Sequence, residues 1–203
     1  MTDLKAYIEQ GRKITKSEVN ELPLLRFEGK IKTVETPQQL KEAVQDLAKY
    51  GRIGFDTETK PVARKGQHHR VALLQLSTPT TAYLIHLQKT GLSIELQWLM
   101  SSADHLKIGI ALNDDIRGLL EYAHFQPQGF VDLAQVAKSK GFQQTGARNL
   151  AGILLEGRVS KTQQMSNWEK FPLSPAQKCY AATDAWLGPV LYRRFLAIDQ
   201  EVN

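Results

Sequence analysis

Asp56 and Glu58 stand one residue apart at the end of a short apolar run, Ile53-Gly54-Phe55-Asp56-Thr57-Glu58. In a strand, side chains two apart point to one face, so both carboxylates would project together from its carboxyl end. Like charges held that close call for a cation. Clustered oxygen ligands suit Mg²⁺ or Mn²⁺, and metal-assisted phosphoryl chemistry is the usual use of such a site. The plainer alternative is a strand running into a solvated acidic turn, and carboxylates at compatible places downstream are what would decide between the two.

Asp115 follows the segment Lys107-Ile108-Gly109-Ile110, within a turn or so of the next helix. A carboxylate there can lean over a neighbouring strand's end. Equally, Asn113 or Asp114 caps that helix and Asp115 favours its first turn through the macrodipole. Tyr180 and Asp184 lie inside the helical pattern from Gln177 to Trp186 and, four apart, share one face. Ala181, Ala182 and Ala185 would let that face approach other backbone closely. A buried tyrosine beside a helical aspartate can be purely structural, its phenol satisfied by a backbone carbonyl. Against this, an aspartate inside an apolar helix is costly unless paired, protonated or bound to metal.

The elements that must carry these groups can be read from periodicity and breakers. Residues 1–30 are polar and mixed in charge, with a capping box at Thr15-Lys16-Ser17-Glu18, and are expected as an arm packed on the core. The domain proper is expected over 31–203. Residues 31–34 alternate as a strand, and Thr36-Pro37 opens a helix to about 49 with Leu40, Ala43, Val44 and Leu47 on one face. Strands at 52–56, 71–77 and 82–85, joined in part by short turns, predict an antiparallel meander. Thereafter strand and helix alternate: helices at 94–100, 114–122, 133–140 and 148–155, strands at 106–110 and 130–131. These later strands are expected to be parallel. Ser174-Pro175 begins a long helix to about 198, interrupted at most locally by Gly188-Pro189. The sum is an α/β domain with helices on both faces of a mixed sheet. Ligands in such sheets bind at strand carboxyl ends where the strand order reverses, the place expected for Asp56 and Glu58.

A chain of 203 residues with 42% hydrophobic content is large enough to bury one proper core. A formal net charge of +5 makes an acidic partner such as nucleic acid plausible. The single cysteine, Cys179, excludes an internal disulfide framework and multi-cysteine zinc, and with no apolar signal core after Met1 the cytoplasm is the expected compartment. No stretch approaches the roughly 18 apolar residues that span a bilayer, so no membrane partner is expected.

Taken in order, these carboxylates and the phenol resemble the DEDD superfamily of 3'-5' exonucleases, in the tyrosine branch with RNase D and the Werner syndrome exonuclease domain. The first motif is Phe55-Asp56-Thr57-Glu58-Thr59, followed by Arg70 to Ser77. The second runs from Lys107 through Asp115-Ile116-Arg117-Gly118-Leu119. The third runs from Ser166-Asn167-Trp168-Glu169 to Tyr180-Ala181-Ala182-Thr183-Asp184. The sister branch has His five residues before the last Asp, where this chain has Cys179.

The resemblance implies an RNase H-like fold with a five-stranded mixed sheet, and two Mg²⁺ or Mn²⁺ held by Asp56, Glu58, Asp115 and Asp184. Asp56 would bridge both ions, Glu58 and Asp184 would complete the first, and Asp115 would serve the second largely through water. Tyr180 would position the attacking water. The implied reaction is hydrolysis at a single-stranded or frayed 3' end, with DNA placed slightly ahead of RNA, releasing nucleoside 5'-monophosphates. Thr57, Lys60, Lys65, Arg70, Arg148, Lys161 and Trp168 are candidate substrate contacts, each basic one competing with a solvated surface role and Trp168 with a core role. Two other readings compete: a non-catalytic nucleic-acid-binding module of the same fold, and a haloacid-dehalogenase-type phosphatase with Asp56 as nucleophile. The latter's Asp-x-Asp-x-Thr motif is broken here by Glu58, and it gives Tyr180 and Asp184 no work.

Overall fold

The computed structural model describes residues 13–62, 64 and 66–202, so the first part of the expected arm, residues 1–12, lies outside the described residues. One sheet contains β1 (Lys30–Val34), β2 (Arg52–Thr59), β3 (Val71–Ser77), β4 (Thr81–His86), β5 (Leu106–Gly109) and β6 (Phe130–Asp132), in the order β1-β4-β3-β2-β5-β6. β2, β3 and β4 form the expected antiparallel meander, and β5 and β6 extend from β2 in parallel.

The sheet has six strands rather than five. β1 lies parallel to β4, with Lys30 opposite Thr81 and Val34 opposite Ile85. All six residues of β4 are buried. A buried strand cannot leave one row of N–H and C=O groups unpaired, and β1 supplies the partners.

The helices are α1 (Lys16–Glu21), α2 (Pro37–Leu47), α3 (Leu87–Thr90), α4 (Ile94–Ser101), α5 (Asn113–Leu120), α6 (Leu133–Ser139), α7 (Ala147–Leu155) and α8 (Pro175–Val202). Thr15 and Thr36 each form a capping box with the residue three further on. Ser174 starts α8 the same way, its hydroxyl accepting from the Gln177 N–H while the Gln177 side chain accepts from the Ser174 N–H. α8 continues through Pro189.

Every residue of β3 is buried, because helices or loops cover both faces of the sheet. Leu74 and Leu76 pack with Leu40, Leu47, Leu96 and Leu99 on one face, while Leu73 joins Trp168, Leu173 and Ala181 on the other. α6, α7 and α8 close over β5 through Leu133, Leu150, Leu187 and Phe195.

Two glycines set how closely α8 approaches the sheet. A Cβ at Gly54 would lie 1.9 Å from the Ala185 carbonyl oxygen, and one at Gly188 would lie 2.2 Å from that of Ile108. Contacts that short leave room only for hydrogen, so Gly54 lets α8 lie directly on β2, two residues before Asp56.

Residues 13–30 run against the domain. Val19 is buried, Arg158 Nε donates to the Leu22 carbonyl at 3.0 Å, and the Phe27 N–H donates to Thr183 Oγ1 at 3.1 Å. Lys107, fully buried on β5, donates to the carbonyls of Leu99 (3.0 Å) and Ser102 (2.6 Å) at the end of α4. Its burial pushes its pKa down to about 8. Among the described residues, no helix is long and apolar enough to cross a membrane.

Candidate active site

Asp56 and Glu58 project from the carboxyl half of β2, where β3 leaves antiparallel on one side and β5 runs parallel on the other. Asp184 arrives from α8. One oxygen from each of Asp56, Glu58 and Asp184 lies within 4.8 Å of the others. None of these three, nor Asp115, is in an ion pair with a lysine or arginine among the described residues.

The electrostatic consequence is consistent across the set. Burial holds Asp56 well above the usual carboxylate range, and the charges of Asp184, Asp115 and Glu58 add to it. Glu58 rises to about 8 through burial and then Asp184 and Asp115. Asp184 is also raised by burial, against the hydrogen-bonding influence of Tyr180 and the charge of Lys161. Burial, then Asp184 and Glu58, push the Tyr180 phenol far above its ordinary value. Partly buried oxygens of one sign, in no ion pair among the described residues, match the donor set of a hard divalent cation, which supplies the missing charge.

Asp115 stands outside the close trio. Its Oδ1 accepts from the Thr57 hydroxyl, and burial outweighs that bond to bring its pKa to about 6. Neither Asn113 nor Asp114 caps α5: the cap position is Leu112, with no side-chain cap bond. Asp132 secures the approach instead, accepting from the N–H of Ala111 (2.8 Å) and of Leu112 (3.3 Å) while also capping α6 through the Ala134 N–H (2.9 Å). Ala111 takes the left-handed backbone at φ 62. Sequence reasoning passed over Asp132, although an aspartate between a strand and an apolar helix start is a cap signal.

A cleft of about 440 Å³ opens onto Asp56, Glu58, Tyr180 and Asp184, with Arg148 and Lys161 in its walls. Arg148 Nη2 donates to Asn20 Oδ1, from the end of α1. A second cleft, about 360 Å³, shares Thr57 and Glu58 and reaches Asp115, Lys60 and His69.

The other expected contacts divide. Trp168 is fully buried and packs against the Tyr180 ring, 5.8 Å between centroids, so no face is open for a base. It belongs to the core that holds the phenol. Arg70 is committed to the Glu121 carbonyl and stacks 3.8 Å over Tyr122, and Lys60 pairs with Glu169 at 3.1 Å. His68 and His69 meet Glu121 and Glu169. Lys65 lies outside the described residues.

An RNase H-like mixed sheet with carboxylates at its central strand end, joined by an aspartate and a tyrosine from one late helix, defines the architectural class. A family model described as "3'-5' exonuclease" matches residues 31–198. The chain belongs to that family, within the DEDD exonuclease superfamily.

Its relatives include the mouse "Bifunctional 3'-5' exonuclease/ATP-dependent helicase WRN", 32% identical over 148 residues, which are 70% of this chain and 11% of the relative. Ribonuclease D of Acidiphilium cryptum is 31% identical over 160 residues, 77% of this chain and 40% of the relative. The chain thus spans less than half of either. A "3'-5' exonuclease" of Arabidopsis thaliana is 26% identical over 196 residues, 89% of this chain and 68% of the relative. Among solved structures, the Aedes aegypti Nibbler EXO domain shares the fold with a TM-score of 0.76 at 22% identity, covering 85% of this chain and 90% of that one. Escherichia coli RNase D follows with a TM-score of 0.75 at 20% identity, covering 84% and 45%.

Proposed function

We propose that the chain is a divalent-cation-dependent 3'-5' exonuclease that removes nucleoside 5'-monophosphates from the 3' end of a single-stranded or frayed nucleic acid. The observation that carries this reading is the close trio Asp56, Glu58 and Asp184, in no ion pair among the described residues, with Tyr180 one helical turn from Asp184. Asp56, Glu58 and Asp184 would hold one Mg²⁺ or Mn²⁺, and Asp56 and Asp115 would serve a second. Bound there, divalent ions supply positive charge to the phosphodiester and acidify water.

This chain's own groups do the rest. Tyr180 stays protonated, because burial and the facing carboxylates oppose its ionisation, so it orients the attacking water by hydrogen bond and does not act as a base. Water forms a new bond to phosphorus as the bond to the preceding 3'-oxygen breaks, so the released nucleotide keeps its 5'-phosphate. Arg148 and Lys161 offset the repulsion that the carboxylates exert on a polyanion.

Incubating 5'-labelled DNA and RNA strands with Mg²⁺ or Mn²⁺ tests the reading, with both sugars tried because one relative is named as a ribonuclease. Stepwise shortening from the 3' end is expected, abolished in Asp56→Ala and slowed by about 100-fold in Tyr180→Phe. Internal cuts, release from the 5' end, inorganic phosphate from monoesters, or an undiminished Tyr180→Phe rate would overturn it. Binding without shortening would favour the non-catalytic module.

A further inference from the structure

At the end of β2 away from the carboxylates, a cleft of about 460 Å³ opens between the start of β2, the β3–β4 turn and one face of α8. Lys49, Arg52 and Arg193 stand in its lining with Tyr50, Trp186 and Pro189, and the lining contains no carboxylate. Arg52 stands four positions before Asp56 on the strand, so the two places are roughly 13 Å apart along β2. On α8, Trp186 and Arg193 are seven residues apart and share a face, whereas Trp186 sits about 200° around from Asp184. The cleft therefore looks away from the carboxylate site.

Its cations are largely uncompensated. Arg52 and Arg193 are exposed and form no ion pair among the described residues, and the Arg52 guanidinium lies 5.5 Å over the Tyr192 ring. Of the three, only Lys49 forms an ion pair among the described residues, with Asp46 at 3.1 Å. Cations that line one cleft whose lining holds no acid repel one another, and an anion bound in it offsets the repulsion. Arginine forks match phosphate oxygens in particular. Partly exposed Trp186 and Tyr50 add flat aromatic surface beside that charge, the pairing that receives a nucleotide's base and phosphate together.

We propose that this cleft binds a nucleoside phosphate, its phosphate on Arg52 and Arg193 and its base against Trp186, as a site separate from the carboxylates. A free mononucleotide and an unpaired nucleotide within a strand carry the same chemistry. The inference stands independently of the exonuclease reading.

Titration calorimetry on the full chain carrying Asp56→Ala, in EDTA, tests it without metal or turnover. The probes are 5'-AMP, adenosine, inorganic phosphate and a short dA strand. AMP is expected to bind saturably and about 10-fold or more tighter than adenosine or phosphate alone, and to lose at least about 10-fold in Arg52→Ala/Arg193→Ala. Trp186→Phe, which keeps an aromatic ring, should weaken AMP less than Trp186→Ala does. Both arginines are exposed, so circular dichroism should show the double variant folded. A dA strand tighter than AMP with the same arginine dependence makes the occupant a strand, and the reverse order makes it a free nucleotide; either supports the site. AMP affinity unchanged by the arginine pair, inorganic phosphate binding as tightly as AMP, or loss only on Arg148→Ala would overturn it.

Discussion

The Thr57 hydroxyl donates to Oδ1 of Asp115, tying β2 to the first turn of α5 across 58 residues of chain. Thr57 therefore serves the carboxylate opposite it, and its hydroxyl is already engaged. Thr57→Val keeps the side chain's shape and deletes the donor. Since that hydrogen bond lowers the Asp115 pKa against burial, losing it should carry the value upward from about 6. Metal-dependent cleavage near neutral pH should fall by about 10-fold, with the acid limb of the pH–rate profile moved to higher pH. Thr57→Ser should restore both; a variant with wild-type rate and profile would deny Thr57 this role.

Metal and pH should oppose one another in stability. Glu58 has an ordinary value of 4.5 and lies here at about 8, so between those values the folded state keeps a proton that the unfolded chain releases. Its contribution to stability is full below about 4.5 and is lost as pH rises through about 8; Asp115 adds in the same direction up to about 6. Metal-free protein should thus melt at lower temperature at about pH 8.5 than at about pH 6. Mn²⁺ should raise the melting temperature most at the higher pH, where its ligands are already deprotonated, and a chelator should reverse the gain. Thermal scans in EDTA and in Mn²⁺ at both pH values measure this, and an Mn²⁺ effect that is equal at both, or absent, would contradict it.

Much of this arrangement was legible where the signal is local. Period two put Asp56 and Glu58 together, the four-residue spacing put Tyr180 and Asp184 on one helix face, and the capping residues marked α1, α2 and α8. What stayed hidden depends on contacts between distant residues. Nothing in residues 30–34 states that they lie along β4, because an edge pairing is chosen by the strand that needs covering. Asp132 acts 21 residues back in the chain on the Ala111 N–H, and Trp168 is core because Leu73 and Leu84 from the sheet, Leu173, Ala181 and Tyr180 all pack around it.

Gly54 belongs to the same hidden class and gives a sharp test of how the site is assembled. Gly54→Ala forces a Cβ into the Ala185 carbonyl, which is backbone and cannot swing aside. It should cost about 3 kcal/mol in urea denaturation and displace the helix that carries Tyr180 and Asp184, so cleavage should fall along with stability. Gly51→Ala is the control: its nearest neighbour is 3.7 Å away, an ordinary contact, and its effect should stay within about 0.5 kcal/mol. Equal costs at the two positions would refute the close-approach argument.

Asn20 holds an arginine of the carboxylate cleft from outside residues 31–198, the part of the chain that the family model matches. Its Oδ1 accepts from Arg148 Nη2, while Arg148 Nε is buried with no partner, so Asn20 is the one side chain among the described residues that fixes this guanidinium by a hydrogen bond. An arginine held in one orientation loses less freedom when it meets a phosphate. Asn20→Ala should therefore raise KM for a strand by about 3- to 10-fold and leave kcat near wild type, because Arg148 would still be present but less ordered. Arg148→Ala should raise KM further, and adding Asn20→Ala to it should change nothing more, since the asparagine acts through the arginine. Fully additive effects in this double-mutant cycle, or a fall in kcat with KM unchanged, would show that Asn20 acts by some route other than Arg148.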